Sequence, residues 1–421
     1  MDVKQSAAVL ATERNRPALY APVWRFYLIE GLSAHAANLL MVGVFFYTHR
    51  MFQWGIAQNL LLACGQGACY TTGALLAGRV SGRFGRRNML FSVEATLVAI
   101  ALIAVIRPGP AIITIVLLLY SGVCAAGWPV LESLVCEGAG GNVLFKRLTM
   151  YNLVWSGLNA ATLAVSGVII QHWPAGLFVL PIIAHGIAAC LARFGGRPTT
   201  QIAHAASPHV KPEPELLHLR TLALWLSRIA LPATYIVVYS LSAMMPSLPV
   251  MHSLETQGKT LVSAVWFVAR WGTFLALGTT TFWHTRPRLM LAAAAVMLLA
   301  FLGITIQPSD LFPAAHFSLA IDLSAMIVWQ VLLGAAMGII YSASLYFGMV
   351  LSAGSTEHGG YHEALIGVGS VLGPGAAFVA HWIQPMGIGL SVATVAGLVT
   401  LSLAAAGAAS VVTTRRKSRA V

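Results

Sequence analysis

Apolar runs of about 20 residues alternate with short polar stretches along nearly the whole chain, and each run is long enough to cross ~30 Å of hydrocarbon as a helix. In lipid the backbone must satisfy its own hydrogen bonds, which leaves helices or closed barrels. Runs this long and continuous lack the alternation over ~10 residues that marks a barrel strand. The pattern predicts an all-α membrane protein with spans at roughly Trp24–Tyr47, Gly55–Gly78, Asn88–Ile106, Ala111–Val135, Leu148–Gln171 and Ala175–Leu191. After a polar stretch come six more, at roughly Arg220–Met245, Thr260–Trp283, Leu289–Ile306, Leu323–Phe347, His362–Ile383 and Gly387–Val412. The predicted organisation is a tail at 1–23, a six-helix bundle at 24–192, a linker at 193–219, a second six-helix bundle at 220–412 and a basic tail at 413–421.

Composition agrees. Of 421 residues, 58% are hydrophobic and 9% charged, with mean hydropathy +0.78, against about 25% charged in soluble domains. The net charge of +12 and pI near 9.8 invite a nucleic-acid partner, and the distribution of the charges excludes one. Twenty of the 25 Lys/Arg fall on one side of the twelve-span layout: four each at the N-terminus, in Gly78–Arg87, in the linker region and in the C-terminal tail, and two each at Lys146-Arg147 and Arg286/Arg288. Arg50, Arg107 and Lys259 fall on the other side, while Arg228 and Arg270 lie within spans. The positive-inside rule then puts both termini in the cytoplasm of a plasma or bacterial inner membrane. Residues 1–23 lack a signal peptide's short apolar core and cleavage site, so the first span is expected to serve as the insertion signal. Cys64, Cys69, Cys124, Cys136 and Cys190 show no metal-binding spacing and are expected to be free thiols; His204, His209 and His218 in the linker are too widely spaced for a metal site.

The ten residues Gly78-Arg79-Val80-Ser81-Gly82-Arg83-Phe84-Gly85-Arg86-Arg87 carry four arginines between two apolar runs, which predicts a tight loop at the cytoplasmic surface. A weak internal repeat relates the halves. At an offset of 211, Gly127 and Ser133-Leu134 fall on Gly338 and Ser344-Leu345; at 200, Gly85 to Leu90 fall on Thr285 to Met290.

This segment resembles the loop signature G-x-x-x-D-R-x-G-R-R of the major facilitator superfamily. Gly78, Arg83, Gly85, Arg86 and Arg87 match, and Gly82 stands where the family has its acid. The resemblance implies twelve transmembrane helices in two pseudo-symmetric six-helix bundles that rock about a midplane site. It implies a carrier of a small organic solute, without cofactor or metal, embedded as a monomer in the bilayer. The family's drug–proton antiporters carry an arginine in span four, where this chain reads Leu117-Leu118-Leu119-Tyr120-Ser121-Gly122. Their glycine–proline motif belongs in span five, and its nearest match here, Gly367 to Gly375 around Pro374, is in span eleven.

Ionisable residues inside a membrane are functional candidates by default. Arg270, about ten residues into span eight, could bind a carboxylate or phosphate through its fork of donors, or pair structurally with Asp322. His35, Asn38, Gln66, Asn159, Tyr235, Tyr239 and Gln330 are expected to line the same cavity, although polar side chains also join membrane helices. Glu30 and His35 are the candidates for proton coupling. Glu94, Glu132 and Glu363 read as gate residues: Glu94 pairing with Arg83 or Arg86, Glu132 with Lys146 or Arg147, and Glu363 favoured by the start of span eleven. Arg228 could meet Glu30 across the bundle.

The leading reading is a secondary carrier, with an anionic or zwitterionic solute favoured over a cation and protons as the candidate coupling ion. Alternatives are a drug or metabolite efflux pump of the same fold and a transporter-like sensor or scaffold. Membrane enzymes are disfavoured because no HExxH, nucleophile elbow or phosphate-binding loop occurs. Channels lack support in any pore loop or charged ring.

Overall fold

The computed structural model describes residues 23–194 and 214–418 apart from 287, 316, 353–354 and 385–388, with no side-chain description at 214–218 or 409–418. Most of the linker (195–213, with His204 and His209), the side chain of His218 and the terminal tails before 23 and after 418 therefore lie outside the described residues.

Eleven of the described helices are long and apolar enough to cross a membrane, and a shorter apolar one completes twelve. They are α1 (Trp24–Phe52), α2 (Ile56–Phe84), α3 (Arg86–Ile106), α4 (Pro110–Cys136), α5 (Gly141–His172), α6 (Gly176–Phe194), α7 (Pro214–Met244), α8 (Thr256–Gly278), α9 (Leu289–Thr305), α10 (Leu319–Leu351), α11 (Thr356–Ile383) and α12 (Gly389–Ser418). Local signals set several ends. Pro110 opens α4 where a missing N–H costs nothing. Ser355 caps α11 by accepting the His358 N–H at 3.1 Å. Inside α1 the turn Leu39–Gly43 is π-helical, a local widening often found at functional sites.

Three expectations change. Gly78–Arg87 is not a loop: α2 runs through Gly78 and Gly82 to Phe84, and only Gly85, at φ +80°, separates it from α3. That left-handed backbone is open to glycine at no steric cost. Helix α5 begins at Gly141, so Lys146 and Arg147 sit in its first two turns. Helix α11 begins at Thr356, which puts Glu363 in its second turn, away from the positive end of the helix. Helices here continue past the hydrocarbon, and apolar run length marks only the part within it.

The two halves pack alike. In the first, α2 packs on α4, α3 on α4 and α6, and α1 on α5 and α6; in the second, α8 packs on α10, α9 on α10 and α12, and α7 on α11 and α12. Adding six to each helix number converts one set into the other. Between the halves, α2 lies along α11 and α5 along α8, again a symmetry-related couple. Small residues permit these approaches. A Cβ on Gly73 would stand 1.8 Å from the Gly122 carbonyl oxygen of α4, and one on Gly67 would stand 2.5 Å from the Ser370 backbone of α11.

Replacing Gly73 with Ala should overpack α2 against α4 at a cost of about 1–3 kcal/mol and lower the unfolding temperature in detergent. Gly82→Asp, where an added Cβ meets nothing within 4 Å, should leave that temperature unchanged. Equal tolerance of both substitutions would contradict this packing.

Candidate functional site

A cavity of about 120 Å³ lies between the halves, lined from α1, α2, α4, α5, α7, α8, α10 and α11. Its walls are built from helical stripes four residues apart: Tyr151, Trp155 and Asn159 on α5, Tyr235 and Tyr239 on α7, Trp266 and Arg270 on α8. Spacing of this kind aligns side chains on one helix face. Asn38 enters beside the π-helical turn of α1.

Arg270 dominates one wall. It is 4% exposed, and its guanidinium carbon lies 4.5 Å from the ring centre of Trp155, 4.9 Å from Phe267 and 5.4 Å from Trp266. Such contacts are worth about 0.5–2 kcal/mol and leave its N–H donors unsatisfied. Neither Nε nor Nη2 has a hydrogen-bond acceptor among the described residues. The expected alternative of a pair with Asp322 does not form, because Asp322 accepts the Ser309 N–H at 3.2 Å and the Ser309 hydroxyl at 2.6 Å. A buried cation with idle donors is costly alone and well suited to receiving an anion.

The acids gather elsewhere on the lining. Glu30 lies within hydrogen-bonding reach of Tyr151. Glu363 accepts the Tyr70 hydroxyl and approaches Glu132 and His362. The expected pairing of Glu132 with Lys146 or Arg147 does not occur; Arg147 instead donates to the carbonyls of Val135 and Glu137 at 3.1 and 2.8 Å. Arg228 does not meet Glu30. Its Nη2 lies 3.4 Å from the His358 ring.

Contacts flank the cavity at both ends. At the end bearing Gly85, α2 and α4 meet α11, Thr149 of α5 abuts Gly278 of α8, and His284 stacks on Tyr346 at 4.2 Å and 10°. His284 lies in the turn after α8, where burial and the nearby Arg220 hold its pKa down to about 4, so it stacks as a neutral ring at pH 7. At the opposite end Lys259 donates to the Pro246 carbonyl at 3.0 Å and lies 3.4 Å from His49 Nε2. Placed by sequence in an outer loop, Lys259 is buried in the first turn of α8. The Gly167 N–H donates to Thr260 Oγ1 at 3.0 Å beside it.

No family profile and no curated protein sequence matches the chain. Solved structures do. The nucleoside transporter NupG superimposes with a TM-score of 0.64 at 10% identity, over 92% of this chain and 98% of that one. A single-residue mutant of NupG gives 0.66 at 10% identity, over 92% and 99%. The chain has the major facilitator superfamily fold.

Within that fold, Arg270, Asn38, Asn159, Tyr235, Tyr239, Glu30 and Glu363 border the cavity. Three candidates do not. His35 Nδ1 hydrogen-bonds Thr162 Oγ1 at 2.7 Å, joining α1 to α5. Gln66 donates to the Leu40 carbonyl at 3.1 Å, and Gln330 is buried within α10 away from the lining. Tyr70, Tyr151 and Trp155 escaped the sequence reading, although the four-residue spacing of Tyr151, Trp155 and Asn159 was a usable signal. In the signature segment, Gly78 packs on Glu357 of α11, Arg83 is exposed, and Arg86 pairs at 2.6 Å with Glu137, an acid at the end of α4.

Glu94 takes neither Arg83 nor Arg86. It points into the first half, accepting the Ser33 hydroxyl at 2.8 Å and meeting His185 Nδ1 at 2.6 Å, while His185 Nε2 meets the Tyr120 hydroxyl at 2.6 Å. This buried chain ties together α1, α3, α6 and α4. His185→Ala should therefore lower stability by about 3–5 kcal/mol, because it strands Glu94 without its partner. The double variant His185→Ala/Glu94→Gln should recover part of the loss in thermal unfolding. Strictly additive losses would show that the two side chains act separately.

Proposed function

We propose that this protein is a secondary carrier that moves a small organic solute bearing an anionic group by alternating access. Arg270 carries the reading: a buried guanidinium with idle donors, held against aromatic rings on a cavity wall, is the arrangement that receives a carboxylate or phosphate. The acids Glu30 and Glu363 on the same cavity favour a zwitterion, with its cationic end towards them. The two six-helix bundles act as the moving bodies, 24–192 against 220–412, about the cavity between them. The basic bias of the sequence supports an orientation with Gly85 at the cytoplasmic face of a plasma or bacterial inner membrane.

A second reading has its own observation. Trp155, Tyr235 and Tyr239 offer faces for a planar ring, and Asn38 and Asn159 offer paired donors and acceptors, a lining suited to a nucleoside like the solute in NupG's name. Counterflow in proteoliposomes over carboxylates, amino acids, nucleosides, sugars and amphiphilic cations separates the two.

Arg270→Ala should raise the KM for an anionic solute about ten- to a hundredfold, the equivalent of losing charge-assisted hydrogen bonds worth about 1.5–3 kcal/mol. Unchanged affinity for the transported anion would falsify the anchor role. Glu30 serves as the proton-coupling carboxylate in this scheme, since it is buried, borders the cavity and touches Tyr151 of α5. Glu30→Gln should abolish uptake driven by a pH gradient while leaving solute exchange intact. Uptake that still follows the gradient in this variant counts against the assignment.

A further inference from the structure

Three ligand-type side chains meet where α4 crosses α11. Glu132 of α4 and His362 and Glu363 of α11 each present a donor atom within 4.8 Å of the other two. All three are more than nine-tenths buried, and Glu132 is fully so. Ser344 Oγ bonds His362 Nδ1 at 3.0 Å, and the Tyr70 hydroxyl donates to Glu363 Oε2. Both oxygens of Glu132 and Nε2 of His362 have no hydrogen-bond donor or acceptor among the described residues. Gly359 makes room for the Glu132 carboxylate, since a Cβ there would stand 2.7 Å from Oε2.

Two ionised carboxylates at this range in a dry site repel unless a shared proton or a metal cation lies between them, and no ion pair among the described residues includes either one. The imidazole is set as metal-binding histidines are set, with one nitrogen held by a hydrogen bond and the other left without a partner. We propose that Glu132, His362 and Glu363 form a divalent transition-metal site, of zinc type, that clamps α4 to α11. Two oxygen donors and one imidazole suit zinc or manganese and lack the thiolates that copper(I) prefers. Around an ion at about 2.0–2.2 Å, ligand atoms lie ~3.5 Å apart, so closing the site from atoms now within 4.8 Å of one another takes a small shift of the side chains. Glu363 also borders the cavity, so the cluster lies beside it. Sequence spacing gave no sign of this set, because the helix crossing assembles it.

The ion would join one bundle to the other at the end bearing Gly85 and so hold that end shut. That consequence rests on the carrier reading; binding itself does not. The test is titration of the purified full chain in lipid nanodiscs with Zn²⁺ against a chromophoric chelator. The wild type should hold one zinc at this site. Ser344→Ala should weaken it about ten- to a hundredfold by releasing His362, and Glu132→Gln should weaken it further. Wild-type affinity in Glu132→Gln, or no zinc retained by the wild type, would overturn the site. Should Glu132→Gln fail to fold, Mn²⁺ bound to the wild type should show nitrogen hyperfine coupling from one imidazole in its electron spin-echo spectrum, and its absence would equally overturn the proposal. Neither measurement depends on solute movement, so a failed transport assay leaves this result standing.

Discussion

The structure depends on how a membrane-embedded chain keeps opposite charges apart. Among the described residues, Arg270 lies in an aromatic enclosure with no ion-pair partner, while Glu30, Glu132 and Glu363 collect around α1, α4 and α11 with no arginine or lysine paired to them. In a low-dielectric interior each group would gain most by meeting the other. The fold holds them on different walls, Arg270 on α8 and the acids on α1, α4 and α11. That separation leaves unspent interaction energy on both sides of one cavity, available to a solute or an ion that brings the missing charge.

Close helix packing maintains the separation. Glycines at 67, 73 and 367 bring α2 against α4 and α11 at backbone distance. The chain from Tyr120 through His185 to Glu94 consumes another buried acid inside the first half. Arg86 is satisfied by Glu137 in the same half, so the missing acid at Gly82 leaves no stranded arginine there. Charges used in this way stiffen one bundle, and those left over face the boundary between the two.

The helix count and architecture were legible because apolar run length and basic bias depend only on the thickness and polarity of a bilayer. The ends of helices were less so. Helices α5 and α11 begin seven and six residues before their apolar runs, where polar turns such as Gly141–Arg147 remain helical outside hydrocarbon. Partner choice was hardest to read. Glu94 and Arg86 are neighbours in sequence, yet the rotational phase of α3 turns Glu94 towards α6 and leaves Arg86 at the surface beside α4. Sequence separation carries no information about that phase across helices. It is the reason Arg270 could be named as a cavity residue while His35, one turn from Asn38, turned out to bind Thr162 instead.

Gly85 has a mechanical consequence. A linker of one residue keeps the end of α2 and the start of α3 together, so a displacement of one carries the other with it. Helix α3 is in turn bound to α4 and α6, and α2 runs along α11 of the other half. A push delivered by α11 on α2 therefore reaches the start of α3 through a single residue. In engineering terms Gly85 is a pin joint between two long rods, which transmits displacement and leaves the angle free.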